Sequence, residues 1–238
     1  MNSIKAVFIK QALDMFRNKV VLIQFILFPL IALIFTELVS KPNAAPNSAE
    51  PNMPYSMFVT IFAAVFIGYT LLTTTAGIIA EDTERKSLRF LIMAGVKPHE
   101  YFLGVCGIIL LVTLPVSVVF GLIGNFSGIA IIKFICVMMC GSVASMLLGA
   151  AVGILSKNQQ SAHAASMSVA VIIGFGPMIT MFNETAGKIL GVLYTQQINV
   201  IVNDLSAGTM RPLSVIAANI AVFAALFGIA YMKKGLKG

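Results

Sequence analysis

The chain reads as an all-α polytopic membrane protein: six transmembrane helices preceded by an amphipathic interfacial helix, with a short charged helix between spans 2 and 3 and a re-entrant or interfacial segment before span 6. Three observations lead there. Of 238 residues, 58% are hydrophobic and 11% charged, with a mean hydropathy of +0.95, far from the balance of a soluble domain. The apolar residues gather in six runs, 20–39, 55–80, 105–124, 134–155, 164–182 and 213–232, each near the ~20 residues that cross a hydrocarbon core of about 30 Å. None of the runs alternates as barrel strands do, and helices are the other form that satisfies every backbone group in lipid.

Residues 1–19 come first. On a helical wheel Lys10, Gln11, Asp14, Arg17 and Asn18 share one arc, and Ile4, Val7, Phe8, Ala12 and Phe16 the other. That pattern predicts a helix lying on a membrane face, either as a basic leader that fixes topology or as a docking elbow. The stretch before the first run is long and lacks a small-residue cleavage pattern, so span 1 is expected to stay in the mature protein. The loop after it, SKPNAAPNSAEPNMP, has four prolines and three asparagines and reads as an extended connection. In span 4, Gly141, Ser145, Gly149 and Gly153 recur every four residues, a face that lets another backbone approach closely, within the subunit or across a dimer. In span 5, Gly174, Gly176 and Pro177 predict a kink or break near the outer end. Segment 183–212 is too polar to span and too apolar for a plain loop, so one or two short helices are expected, lying on the membrane or dipping back into protein.

Basic residues set the orientation. With the N-terminus inside, 12 Lys and Arg fall on cytoplasmic segments and 4, Lys41, Lys133, Lys188 and Arg211, on outer ones. This positive-inside bias places both termini in the cytoplasm. The net charge of +7 lies at helix ends rather than in a groove interleaved with aromatics, which argues against a nucleic-acid partner.

Catalytic signatures are missing. There is no G-x-x-x-x-G-K-[ST], H-E-x-x-H or G-x-S-x-G in the sequence. Cys106, Cys136 and Cys140 lie in apolar runs, away from ligand spacing to His99 or His163, so no metal site is expected. An intramembrane protease would have to use Glu81, Asp82 or Glu84 with His163, and Glu84 is followed at once by Arg85 and Lys86, as on a solvated helix surface. An ion-coupled secondary transporter would need ionisable groups at mid-membrane, where no span has an Asp, Glu, Lys or Arg. No energy source is written in this chain.

Eight of the 25 charged residues fall in 81–104, EDTERKSLRFLIMAGVKPHEYFLG. Asp82 or Thr83 offers a cap for a short helix in which Leu88, Leu91 and Ile92 recur at helical spacing, and Gly95 offers a left-handed stop. Pro98 suits the first turn of span 3, with Glu100 near its positive end. Together with the order of elements, this stretch resembles the ABC-2 type transporter permeases, the membrane subunits of ABC exporters. Asp82 and Glu84 fall on that family's acidic pair, Leu88 and Leu91 on its apolar positions, and Glu100 and Gly104 on its later Glu and Gly. Lys86 stands where the family often has glycine, Arg89 where Glu is frequent, Gly95 where proline is common and Val105 where Lys is common.

The resemblance implies a coupling helix in 81–104 that docks on a cytoplasmic ATP-binding subunit through Asp82, Glu84, Arg85, Leu88, Leu91, Ile92 and Glu100. It implies that the chain is not itself an enzyme and holds no cofactor, Mg-ATP being bound by the partner. A second copy or a related permease would complete the transporter in the plasma membrane of a bacterium. The implied path runs between spans 1, 2 and 5, with Gln24, Thr73, Thr74, Thr75 and Ser168 as candidate lining, although lone Thr and Ser also bond their own helix backbone. Thirteen Met and no Trp favour an amphipathic or hydrophobic cargo, a peptide toxin, antimicrobial peptide or drug, over the alternative of a lipid or polysaccharide.

Overall fold

The computed structural model describes residues 3–40, 55–203 and 210–236, and every regular element among them is helical. The proline-rich loop lies outside the described residues. Among the described residues, six helices have the length and apolarity to cross a membrane, Lys19–Leu38, Met57–Glu84, Pro98–Ile123, Ile129–Leu155, Gln159–Phe182 and Met210–Lys233.

Helix α1, Ser3–Arg17, ends at Asn18, whose Oδ1 accepts from the amides of Val20 (3.1 Å) and Val21 (3.3 Å) and so caps α2, Lys19–Ser40. The buried stripe of α1 is Val7, Gln11 and Met15. Gln11, placed by the helical wheel on the polar arc, therefore faces inward, while Leu13 and Phe16 are exposed. α1 sits on the first turns of span 3, where a side chain on Gly104 would come within 2.6 Å of Val7 Cβ.

Span 2 is the most enclosed of the six. It consists of α3, Tyr55–Val65, a π-helical segment Phe66–Leu71, and α4, Leu72–Glu84. Gly68, within the π segment, meets Gly174 of span 5 so closely that a Cβ on it would stand 2.7 Å from Gly174 Cα. α5, Ser87–Met93, follows α4, and span 3 is α6, Pro98–Ile123.

Span 4, α7 (Ile129–Leu155), turns its small-residue face onto its own chain. A Cβ on Gly153 would lie 2.6 Å from the Ala76 carbonyl, one on Gly149 would collide with the Leu72 carbonyl, and one on Gly141 with Ile198. Ser145 Oγ is 2.6 Å from the Tyr194 hydroxyl. Span 5, α8 (Gln159–Phe182), runs through Pro177 as one helix. Proline leaves the carbonyl four residues earlier without its usual donor. That carbonyl, Ile173 O, accepts instead from Thr195 Oγ1 at 2.6 Å, so the expected break does not form.

Between spans 5 and 6, the described residues form two helices of different character. α9, Glu184–Leu190, is capped by Asn183 and leaves Ile189 exposed, whereas α10, Tyr194–Asn203, buries Tyr194, Thr195, Ile198, Asn199, Ile201 and Val202 within the bundle. Burial pushes the Tyr194 phenol well above its usual range, with the Ser145 hydrogen bond opposing in part, so it stays a neutral hydroxyl. Residues 204–209 lie outside the described residues. α11, Met210–Leu236, is span 6.

Candidate functional site

The charged stretch forms a compact turn at one end of the bundle. α4 stops as the Arg85 amide bonds Glu81 O at 2.9 Å and the Lys86 amide bonds Thr83 O at 3.2 Å. Lys86 takes φ 60° and ψ 8°, the left-handed conformation that glycine adopts without penalty. α5 then closes with the Gly95 amide on Ile92 O and the Val96 amide on Leu91 O, both at 3.0 Å, Gly95 having φ +81°. These are the two bonds of a Schellman stop. Span 3 starts with Pro98 in its first turn, and Glu100 Oε2 accepts from the Lys97 amide at 3.0 Å.

Asp82 is at the centre of this turn, 3% exposed. Its Oδ1 accepts from Ser87 Oγ at 2.9 Å and from Lys10 Nζ, and its Oδ2 from Gln11 Nε2 at 2.8 Å and the Tyr101 hydroxyl at 2.9 Å. Four donors on α1, α5 and α6 thus compensate a buried carboxylate that would otherwise be costly. Glu84, exposed, accepts from the Gln159 amide at 2.8 Å and so touches the first turn of α8. Tyr231 of α11 donates to Val96 O at 3.0 Å.

α5 has two apolar faces. Leu88 is 1% exposed and packs into the core, with Leu91 and Ile92 half-buried beside it. Phe90 and Met93, one turn apart, are each 65% exposed, with Arg85, Lys86 and Arg89 exposed around them. Arg85 pairs with Glu81 at 2.7 Å.

A cavity of about 420 Å³ opens beside this turn, between the near ends of spans 1, 2 and 5. Gln24, Thr74, Glu81, Gln159 and His163 are among its lining residues. The His163 imidazole packs against Gly77, where a Cβ would stand 2.8 Å from its Cε1. Among the described residues, no three His, Cys, Asp or Glu side chains gather as a metal ion would need.

The family model of the ABC-2 type transporters matches residues 2–194. This chain is a member of that family. It is therefore a multi-pass membrane component of an ABC transporter, of the kind that pairs with an ATP-binding subunit. A comparison with curated proteins finds no match.

In this permease the residues read from the sequence as coupling contacts divide into two groups. Asp82 and Leu88 face inward, because the carboxylate is saturated by its own chain and the leucine fills the core. Glu100 caps span 3, and Glu84 meets α8. Asp82 and Thr83 do not cap α5, whose N-cap position is Lys86, without a side-chain hydrogen bond. Arg85 remains outward. Phe90 and Met93, which the sequence did not single out, are the exposed apolar side chains of α5.

Of the path residues, Gln24 and Thr74 come together, Thr74 Oγ1 lying 3.3 Å from Gln24 Oε1 at the cavity. Thr73 bonds Tyr69 O at 2.8 Å, and Thr75 is fully buried with no hydrogen-bond partner among the described residues. Ser168 lies exposed on α8 and bonds Ala164 O at 3.1 Å, away from that cavity. Gly141, Ser145, Gly149 and Gly153 all pack against α4 or α10 of the same chain.

Proposed function

We propose that this permease exports an amphipathic or hydrophobic cargo, a peptide or drug, from the cytoplasm, driven by ATP hydrolysis in a separate subunit that binds Mg-ATP. Two permeases, identical or related, pair in a bacterial plasma membrane, with the α5 end and both termini in the cytoplasm. The observation that carries the reading is the cavity beside the end of α4, lined by the Gln24, Gln159 and Gln160 amides, the Thr74 hydroxyl and the His163 imidazole together with apolar wall. Such a lining suits a cargo with an apolar body and a few hydrogen-bonding groups. Glu81 is its one carboxylate, and it is already paired with Arg85.

The motor contact is the outward face of α5. Phe90 and Met93 offer an apolar anchor on a helix preceded by the exposed Lys86, which suits a partner cleft with an apolar floor. The test is co-purification with an ATP-binding subunit in nanodiscs. Replacing Phe90 and Met93 together by Asp is expected to weaken association at least ~10-fold while leaving the permease inserted and monodisperse. Association at the parental level would remove α5 from the motor contact. Export is read in inverted vesicles, where ATP should drive a fluorescent amphiphile or labelled peptide into the lumen; ATP hydrolysis with no accumulation of either probe would rule out this cargo class.

A further inference from the structure

We infer that Asp82 is a positioning residue that joins α1, α5 and α6 into one mechanical unit, so that a displacement of α5 carries the interfacial helix and the start of span 3 with it. The inference rests on the reading of α5 as the element the motor moves. Its basis is how the four donors divide between the two carboxylate oxygens. Oδ1 joins Lys10 of α1 to Ser87 of α5, and Oδ2 joins Gln11 of α1 to Tyr101 of α6. Each oxygen therefore clamps α1 to a different element, and the planar carboxylate fixes the two clamps relative to each other. Sliding α5 past α1 would strip a donor from a buried anion, a cost the unit avoids by moving together. An apolar residue would have served if packing alone were needed at 3% exposure.

The junction to α8 is of another kind. On this side of the bundle, Glu84 and the Gln159 amide make one hydrogen bond at an exposed position. Farther along, Gly68 and Gly174 bring spans 2 and 5 into backbone contact. The cavity lies between that crossing and α5. The geometry therefore makes the Gly68–Gly174 crossing a fulcrum and the cavity the gap that changes when the Asp82 unit rocks against α8.

The experiment uses the permease with Cys106, Cys136 and Cys140 replaced by Ala, spin-labelled at exposed positions, in nanodiscs with its ATP-binding subunit. The pair Lys5→Cys with Ala94→Cys reads within the unit; Ala94→Cys with Gln160→Cys reads across to α8. In the parent, the first distance should be single and unchanged between nucleotide-free and vanadate-trapped states, and the second should shift by ~2 Å or more. With Asp82→Asn the first distance should broaden and differ between the states, while ATP hydrolysis stays within about twofold of the parent. A residue that only supports the fold would instead lower hydrolysis and assembly together. Should Asp82→Asn fail to fold, Tyr101→Phe, which deletes one donor, gives the same readout in milder form. The inference is overturned by a first distance that shifts in the parent, or by one that stays single and fixed in both variants. If no ATP-binding subunit associates, the function proposed above fails, yet broadening in the nucleotide-free permease still reports on the clamp.

Discussion

The two ends of the stretch from the π segment through α4 are held by opposite means. At its far end, against spans 4 and 5, helices approach because side chains are absent: Gly149 meets the Leu72 carbonyl and Gly68 meets Gly174. At its near end, helices are joined because side chains are present and charged, with Asp82 gathering Lys10, Gln11, Ser87 and Tyr101. The difference follows from solvent. Deep in lipid an ion is expensive and close van der Waals packing is the available attraction, whereas near the headgroups an anion can be held by cations and amides. The glycine junction resists compression, and the carboxylate junction resists shear.

Breaking the near end should cost most. Asp82→Ala leaves Gln11 and Tyr101 with buried polar atoms and no acceptor, and is expected to lower stability by about 3 kcal/mol, read as a lower midpoint in thermal unfolding in detergent. At the far end, Gly149→Ala forces a methyl against a backbone carbonyl that has nowhere to retreat, an overpacking cost of about 2 kcal/mol in the same assay. Gly228→Ala is the matched control, since nothing lies within 4 Å of its would-be Cβ and helix propensity favours alanine by about 1 kcal/mol. If the two glycine variants behave alike, the stripe on α7 is not a packing junction. The smallest effect is a gain: Lys86→Gly should relieve a left-handed lysine and raise stability by up to ~1 kcal/mol, less the chain entropy that glycine adds to the unfolded state.

The six spans were legible because hydropathy reports the lipid-embedded part of each helix. It does not report where the helix begins. Spans 3, 4 and 5 start at Pro98, Ile129 and Gln159, several residues before the apolar runs at 105, 134 and 164. In spans 3 and 5 the extensions are turns closed by local capping, Glu100 on the Lys97 amide and Asn158 on the Ser161 amide, whereas in span 4 Lys133 interrupts an apolar start that has Gly128 at the N-cap. Lys86 could be read in advance, since a position where the family often has glycine is one where the backbone needs positive φ.

Which side of α5 faces outward could not be read from pattern. A seven-residue helix with Leu88 on one side and Phe90 and Met93 on the other carries apolar residues all round, and periodicity alone does not say which side meets the core. Asp82 was equally opaque, because its partners Lys10 and Gln11 are 72 and 71 residues away in the chain. Charge density marks an end of the membrane; it does not distinguish a carboxylate aimed at a partner from one that holds its own chain together.

The π segment at Phe66–Leu71 acts on that carboxylate from a distance. A wide turn holds about one residue more than an α-turn, and one residue is ~100° of helical phase. Deleting a single residue from that turn would leave 72–84 unaltered in sequence and still helical, yet rotate Asp82 away from Lys10 and Gln11 and Gly77 away from His163. The aim of every contact at the α5 end is thus indexed by a surplus residue near the middle of the span, and a one-residue indel there would mistime a junction it never touches.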